Sequence, residues 1–122
     1  MKVWIGRWLV VVATIHTAFA VAVFGGTRTG LVRRGLLDTV GSDPLTGAVV
    51  WFVLFGGVLA IAGLAISALE RSAAGNVPKS LGWSLLALCV LGVVLMPASG
   101  FWLAFPPALA ILLRKPRDRA AA

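Results

Sequence analysis

Two long apolar runs constrain this chain more than any other feature of its sequence. The first extends from Val3 to Phe24 and the second from about Pro44 to Leu69. Each is long enough to cross a hydrocarbon core of about 30 Å, which takes about 20 helical residues. Because the mean hydropathy is +1.00 and only 12% of the residues are charged, a water-soluble domain of this size has no interior in which to hide them. The sequence therefore predicts a membrane protein.

Turn and capping residues divide the chain into four helical spans. Gly25-Gly26 ends the first span, Ser42-Asp43-Pro44 is typical of a helix start, and Asn76 with Pro78 precedes the third span. The prediction is an all-α fold, an antiparallel bundle of four transmembrane helices at about 3–24, 44–69, 78–96 and 98–113. These helices form a single membrane domain, 1–113, followed by a basic cytoplasmic tail, 114–122.

Two segments depart from this simple pattern. Pro106-Pro107 removes two backbone donors near the middle of the fourth span, so we expect that helix to be kinked there. Residues 31–40 place apolar side chains around Arg33, Arg34 and Asp38, which suits an amphipathic helix on the membrane surface. An irregular loop is the alternative, because Gly35 weakens a helix.

The basic residues predict the orientation of the spans. With the first residue on the cytoplasmic side, that side holds eight lysines and arginines and the other side holds three. This asymmetry favours two cytoplasmic termini and a multi-pass protein of the inner (plasma) membrane. The alternative for the first span is a cleaved secretory signal, because residues 18–20, AFA, resemble a cleavage site. The scattered basic residues do not form a nucleic-acid surface.

His16 is the most conspicuous polar residue within the spans. Along the first helix it shares one face with Gly6, Ala13, Thr17 and Ala20, a stripe of small residues that we expect to pack inward. A second such stripe on the second helix contains Gly56, Ala60, Gly63 and Ser67.

Two interpretations of His16 stay open. In the first, the imidazole is a proton relay or an acid/base group, because histidine exchanges protons near neutral pH. In the second, a neutral ring forms a hydrogen bond between helices, to a carbonyl or a hydroxyl, and the candidate hydroxyls are those of Thr14, Thr17, Ser67 and Ser84. The candidate ligand-binding residues are His16, Thr17, Trp51 and Trp102, around an internal pocket between the first helix and the kinked fourth.

Cofactors and metals have no support in the sequence. One histidine and the distant Cys89 do not make a metal site, and the chain has no phosphate-binding loop and no nucleophile motif. We expect neither a cofactor nor a metal.

Three stretches, VWIGRWLVVVATIHTAFAVAVFG, GLLDTVGSDPLTGAVVWFVLFG and SLGWSLLALCVLGVVLMPASGFWLAFPPALA, resemble a bacterial family of small four-helix integral membrane proteins known only as a domain of unknown function. The family-like positions are Gly6, Arg7, Trp8, His16, Trp51, Gly82, Trp83, Pro97, Ser99, Gly100, Phe101, Trp102, Pro106 and Pro107. The resemblance implies the fold and no activity.

The chain also has the size of small multidrug transporters, but it has His16 near the place of their first-helix glutamate. A weaker similarity, to the four-helix proteins around DoxX, implies an accessory subunit.

Three functions follow as hypotheses. The first is a small accessory or lipophilic-ligand-binding membrane protein, whose partners are membrane lipids, a second copy of the chain or another membrane protein. The second is a small oligomeric transporter, because four short helices make a thin pore wall. The third is a membrane-embedded enzyme that uses His16 as acid/base.

Overall fold

The computed structural model describes residues 3–26, 29, 33, 35, 40–72 and 75–115. They form helix α1 (Ile5–Val23), α2 (Pro44–Arg71), α3 (Lys79–Leu95), a 3-10 helix (Gly100–Ala104) and α4 (Phe105–Leu113). The described part of the chain has no strand, so the predicted all-α class with four helices is confirmed. The predicted surface helix or loop at 31–40 lies almost wholly outside the described residues.

Helix α2 begins where its sequence predicts. Asp43 is the N-cap, and its carboxylate accepts a hydrogen bond from the Leu45 backbone N–H at 3.2 Å and a second one from the Thr46 hydroxyl. Pro44 occupies the first turn, where its missing N–H has no helical partner to lose. The helix start predicted at Ser42-Asp43-Pro44 is therefore confirmed.

Helices α1 and α2 are antiparallel and pack through their small residues. A methyl group added at Gly6 would overlap the Ser67 side chain and the Gly63 carbonyl, and one added at Gly56 would lie 2.7 Å from the Thr17 hydroxyl oxygen. The backbones are therefore closer than any larger residue would allow. Ala13, Ala20 and the glycines of both stripes are buried, so the predicted inward orientation of the two stripes is confirmed.

Helix α3 is antiparallel to the fourth segment and packs on it through glycines. A methyl group at Gly82 would lie 2.9 Å from Ile111 and Leu112, and one at Gly92 would overlap the Phe101 ring. The buried residues of α3 are Gly82, Cys89 and Gly92, all on this side of the helix. The opposite side of α3 has no neighbour among the described helices.

Helix α1 lies between the two helix pairs. It packs most extensively on α2 and also contacts α4 and the 3-10 helix, whereas α3 packs on α4 and the 3-10 helix. The buried core therefore joins Ile5 and Leu9 of α1 to Ile66 of α2 and Ile111 of α4. The spatial order of the helices is α2, α1, α4, α3.

The predicted single helix over 98–113 is divided into the 3-10 helix and α4. Pro106 and Pro107 fall in the first turn of α4, so neither interrupts the interior of an α-helix. A proline has no N–H to donate to the carbonyl four residues before it, so those two carbonyls accept hydrogen bonds from other donors. The Phe105 N–H donates to Trp102 O, and the Trp8 indole N–H donates to Leu103 O at 2.7 Å. A kink within one continuous helix stays a prediction.

Two of the helices are long and apolar enough to cross a membrane. These are α1, with a mean hydropathy of 1.6 over its best window, and α2, with 2.6. Only 33% and 22% of those windows are buried inside the protein. Helix α3 and the segment 100–113 are also apolar but shorter.

Candidate functional site

His16 forms a hydrogen bond from α1 to the backbone of α2. Its Nε2 lies 2.9 Å from the Phe52 carbonyl oxygen. Because a carbonyl oxygen only accepts, Nε2 carries the hydrogen and donates it. In a neutral ring this leaves Nδ1 as an acceptor, and within the described residues nothing bonds to Nδ1. The partner is thus a main-chain carbonyl and none of the four candidate hydroxyls.

Aromatic rings surround the imidazole on the α2 side. The His16 ring stacks on Phe52 with centroids 4.0 Å apart and 21° between planes, and it meets the edge of Phe55 at 5.7 Å. Phe24 meets Phe52 at 5.7 Å, and Phe101 lies 6.5 Å from Phe55. We call Phe24, Phe52, Phe55 and Phe101 the aromatic cluster. It connects α1, α2 and the 3-10 helix around a half-buried imidazole.

Gly56 makes the space in which His16 and Thr17 meet α2. A methyl group at this glycine would lie 3.1 Å from Cδ2 of His16 as well as against the Thr17 hydroxyl. That hydroxyl donates to the Ala13 carbonyl of its own helix at 2.9 Å. Thr17 thus lies beside His16 at the contact with α2, and its hydroxyl hydrogen is already donated to Ala13. Its role as a ligand-binding residue stays a prediction.

Trp51 and Trp102 stand apart from the imidazole. The Trp51 side chain is 73% exposed and that of Trp102 is 56% exposed. Trp102 donates its indole N–H to the Pro97 carbonyl at 2.8 Å and lies beside Phe105. Among the described residues the structure records no contact of either tryptophan with His16. Their role as ligand-binding residues stays a prediction.

An open apolar groove of about 480 Å³ lies along α3. Its lining residues are Trp83, Leu86, Ala87, Val90, Leu91 and Val94. All six belong to α3, so this groove is separate from His16 and from α1. The internal pocket expected between α1 and the fourth segment stays a prediction.

The structure contains a second polar centre that the sequence analysis missed, around Glu70. This carboxylate is in the last turn of α2, and its side chain is completely buried. It accepts hydrogen bonds from the backbone N–H groups of Gly6 at 2.9 Å and Ile5 at 3.4 Å, and it pairs with Arg114 Nη2 at 2.7 Å. One side chain therefore holds the start of α1 and the ends of α2 and α4 together.

Electrostatics explains the position of Glu70. A carboxylate near the C-terminus of its own helix opposes the helix dipole, but here it caps the N-terminus of α1, where negative charge is favoured. Helix α1 has no side-chain cap of its own and no acidic residue in its first turn. The sequence could have indicated this contact in two ways. An acidic residue stands at the unfavourable end of α2, and the start of α1 lacks a capping residue.

Metal binding finds no support in the geometry. Across the part of the chain that the structure describes, no three His, Cys, Asp or Glu side chains come together as metal ligands would. His16 and Cys89 lie on helices that are not neighbours in the fold. The chemistry available at His16 is therefore that of an imidazole with one donated hydrogen and one ring nitrogen that can accept.

The residues that the structure describes form an all-helical fold, in which two helices are long and apolar enough to cross a membrane. The sequence profile of DUF6463, a family of unknown function, matches residues 1–118 of the chain. The chain therefore belongs to that family. This confirms the predicted membership of a family without a known function, and it brings no activity, ligand or partner. No curated protein and no solved structure matches the chain.

Proposed function

We propose that this protein is a multi-pass integral membrane protein that acts as a small accessory or lipophilic-ligand-binding protein. The observation that carries the proposal is the exposure of its most apolar helices. A hydrophobic helix in the core of a soluble protein is mostly buried, but only 33% of the apolar window of α1 and 22% of that of α2 are buried inside the protein. Lipid is the environment in which such surfaces are stable.

The whole apolar surface supports the same location. Large side chains such as Ile15, Phe19, Val58, Ile61 and Leu64 are each more than half exposed. Soluble monomers seldom expose contiguous apolar patches above a few hundred Å². Exposure of this kind along the length of several helices is what a bilayer accommodates.

The charges support two cytoplasmic termini. The contacts of Glu70 place the start of α1 and the ends of α2 and α4 at one end of the protein. The packing of Gly82 against Ile111 and Leu112 adds the start of α3. The basic side chains described at this end are those of Arg7, Arg71, Lys79, Arg114 and Lys115. An excess of lysine and arginine favours the cytoplasmic side.

The helices differ in length, and the short ones are those whose crossing of the membrane needs a test. Helix α2, with 28 residues, is about 42 Å long and would tilt, whereas α3 with 17 residues is about 25 Å long. The segment 100–113 is similarly short. A bilayer thins around short helices at modest cost, so our proposal keeps four crossings.

His16 supports ligand binding more than proton transfer. Its Nε2 hydrogen is committed to the Phe52 carbonyl, and no carboxylate lies within hydrogen-bonding distance of the ring among the described residues. The accepting Nδ1, beside the aromatic cluster, suits a lipophilic molecule that carries one hydroxyl or N–H donor. His16 and the aromatic cluster would hold that molecule.

Two experiments test the proposed location. Washing isolated membranes with alkaline carbonate should leave the protein in the membrane fraction, and detergent should release it; release by carbonate alone would contradict the proposal. For topology, Ala98→Cys in a Cys89→Ala background places a thiol in the turn between α3 and the 3-10 helix. We expect a membrane-impermeant thiol reagent to label it in intact cells. Labelling only after permeabilisation would show that α3 and the segment 100–113 do not cross the membrane.

A third experiment tests the ligand. Lipids and other apolar molecules that co-purify with the wild-type protein are compared by mass spectrometry with those of His16→Phe. This substitution keeps an aromatic ring against Phe52 but removes the accepting nitrogen. A molecule with a donor group should be lost from the variant and retained in Ile61→Ala, which alters an exposed apolar side chain of α2 that has no candidate role in binding. Identical bound molecules in all three proteins would contradict the ligand-binding role of His16.

A further inference from the structure

The apolar groove on α3 continues a helical stripe that begins at a charged residue. Its lining residues, from Trp83 to Val94, recur once per helical turn and therefore share one face of α3. Lys79 precedes Trp83 by four residues and therefore lies on the same face, at the first turn of α3. The groove thus has an ammonium group at one end and apolar side chains along the rest of its length.

Lys79 has no role in stabilising the helix that carries it. A cation in the first turn opposes the helix dipole, and α3 has no acidic residue there to compensate. Its side chain is exposed, and no ion pair involves it among the described residues. The ammonium group is therefore available to an external anion.

The surroundings of Lys79 reinforce its charge. Arg71, Arg114 and Lys115 lie at the same end of the protein. The acid described at that end is Glu70, whose carboxylate is buried and already paired with Arg114 and the start of α1. An anion that approaches the end of the groove meets positive charge that this carboxylate does not neutralise.

The length of the groove matches one leaflet of a bilayer. The eleven steps from Trp83 to Val94 span about 16 Å along the helix axis, and half of a hydrocarbon core of about 30 Å is about 15 Å. The groove is open and apolar along this length. A single extended acyl chain matches it in length and polarity.

We propose that the α3 groove binds an anionic phospholipid, with one acyl chain between Trp83 and Val94 and the phosphate at Lys79. Side chains on a helix lean toward its N-terminus, so the Trp83 indole lies toward Lys79, where its N–H donates to the same phosphate. This site is separate from His16. It rests on the proposed membrane location.

The test compares two lipids on the purified full-length protein. The probes are phosphatidylglycerol and phosphatidylcholine with identical acyl chains, and native mass spectrometry measures the bound fraction of each. The wild-type protein should prefer phosphatidylglycerol. One lysine near a membrane surface is worth about a fivefold change in binding, so Lys79→Gln should reduce the preference about fivefold. Lys115→Gln, an exposed lysine at the same end but off the groove, should reduce it much less.

Two further arms identify what is bound. Val90→Trp fills the groove, so it should weaken phosphatidylglycerol binding although every charge remains. Glycerol phosphate should not displace the lipid, because it lacks the acyl chain; displacement would show a phosphate site without a groove and overturn the proposal. Helicity by circular dichroism confirms that each variant is folded.

The outcomes separate this inference from the proposed location. Equal binding of the two lipids by wild-type protein, or equal effects of Lys79→Gln and Lys115→Gln, would overturn the groove site in a protein that still resists carbonate. Release of the wild-type protein by carbonate would overturn the location and the lipid site together.

Discussion

Arg114 Nη2 lies 2.7 Å from Glu70 Oε1, and the same carboxylate accepts the backbone N–H of Gly6 at 2.9 Å. The side chain of Glu70 is fully buried and that of Arg114 is 16% exposed. A pair that is this far from solvent is costly to break on one side only, because the remaining charge loses its partner. Three helices depend on it at one end of the protein.

Replacement of Glu70 by glutamine should lower the free energy of unfolding by about 2 kcal/mol, since Arg114 loses its ion pair although an amide oxygen can still cap α1. Glu70→Ala should cost more because it removes the cap as well. The measurement is unfolding in detergent followed by circular dichroism. The control is Arg71→Gln, an exposed neighbour expected to change stability by less than about 0.5 kcal/mol. Equal effects at both positions would contradict the role of Glu70.

Gly56 and Gly57 are adjacent on α2 and offer a matched pair. Gly56→Ala should destabilise the α1–α2 contact by about 1–3 kcal/mol, because the new methyl group lies against Thr17 and His16. At Gly57 nothing lies within 4 Å, so alanine should stabilise the helix by about 0.5–1 kcal/mol. Thermal unfolding of both variants checks the opposite signs. Two changes of the same sign would show that the α1–α2 contact is not as close as described.

Trp8 supplies the donor that Pro107 cannot. Trp8→Phe should cost about 1 kcal/mol, because the Leu103 carbonyl loses the indole N–H. In a Pro107→Ala background the backbone N–H of residue 107 can serve that carbonyl, so the same substitution should cost less. A double-mutant cycle in unfolding free energy measures the difference. Strict additivity of the two substitutions would exclude this exchange of donors.

His16 combines a hydrogen bond with ring stacking, and two substitutions separate them. His16→Phe keeps the ring against Phe52 but loses the bond, whereas His16→Gln retains a donor and loses the ring. We expect each to lower the unfolding free energy by about 1 kcal/mol and His16→Ala to lower it by more. Unfolding in detergent measures all three. A neutral effect of alanine would mean that His16 is not part of the helix contact.

Local patterns in the sequence predicted the features that depend on local chemistry. Asp43 before Pro44 marks a helix start because both act within one turn. The stripes through Gly6 and Gly63 predict close packing because helical spacing alone decides which residues share a face. The family resemblance likewise followed from residues read in order along the chain.

Features that depend on distant partners escaped prediction. In the sequence Glu70 only marks the polar end of the second span. Its partners at the start of α1 are seen only in the fold. The hydrogen bond of Trp8 escaped prediction because nothing in the sequence shows that Pro107 leaves the Leu103 carbonyl within reach of the indole N–H. The partner of His16 is a carbonyl, and every residue has one, so no residue type could point to Phe52.

The contact between Glu70 and Arg114 also imposes an order on biosynthesis. A ribosome delivers Glu70 well before Arg114, so α1 and α2 can meet while the fourth segment is still being made. During that interval the carboxylate has the N–H groups of α1 but lacks the guanidinium. Synthesis of α4 then brings Arg114 to this carboxylate. The α1–α2 contact therefore has its full set of partners for Glu70 only once the whole of α4 has been made.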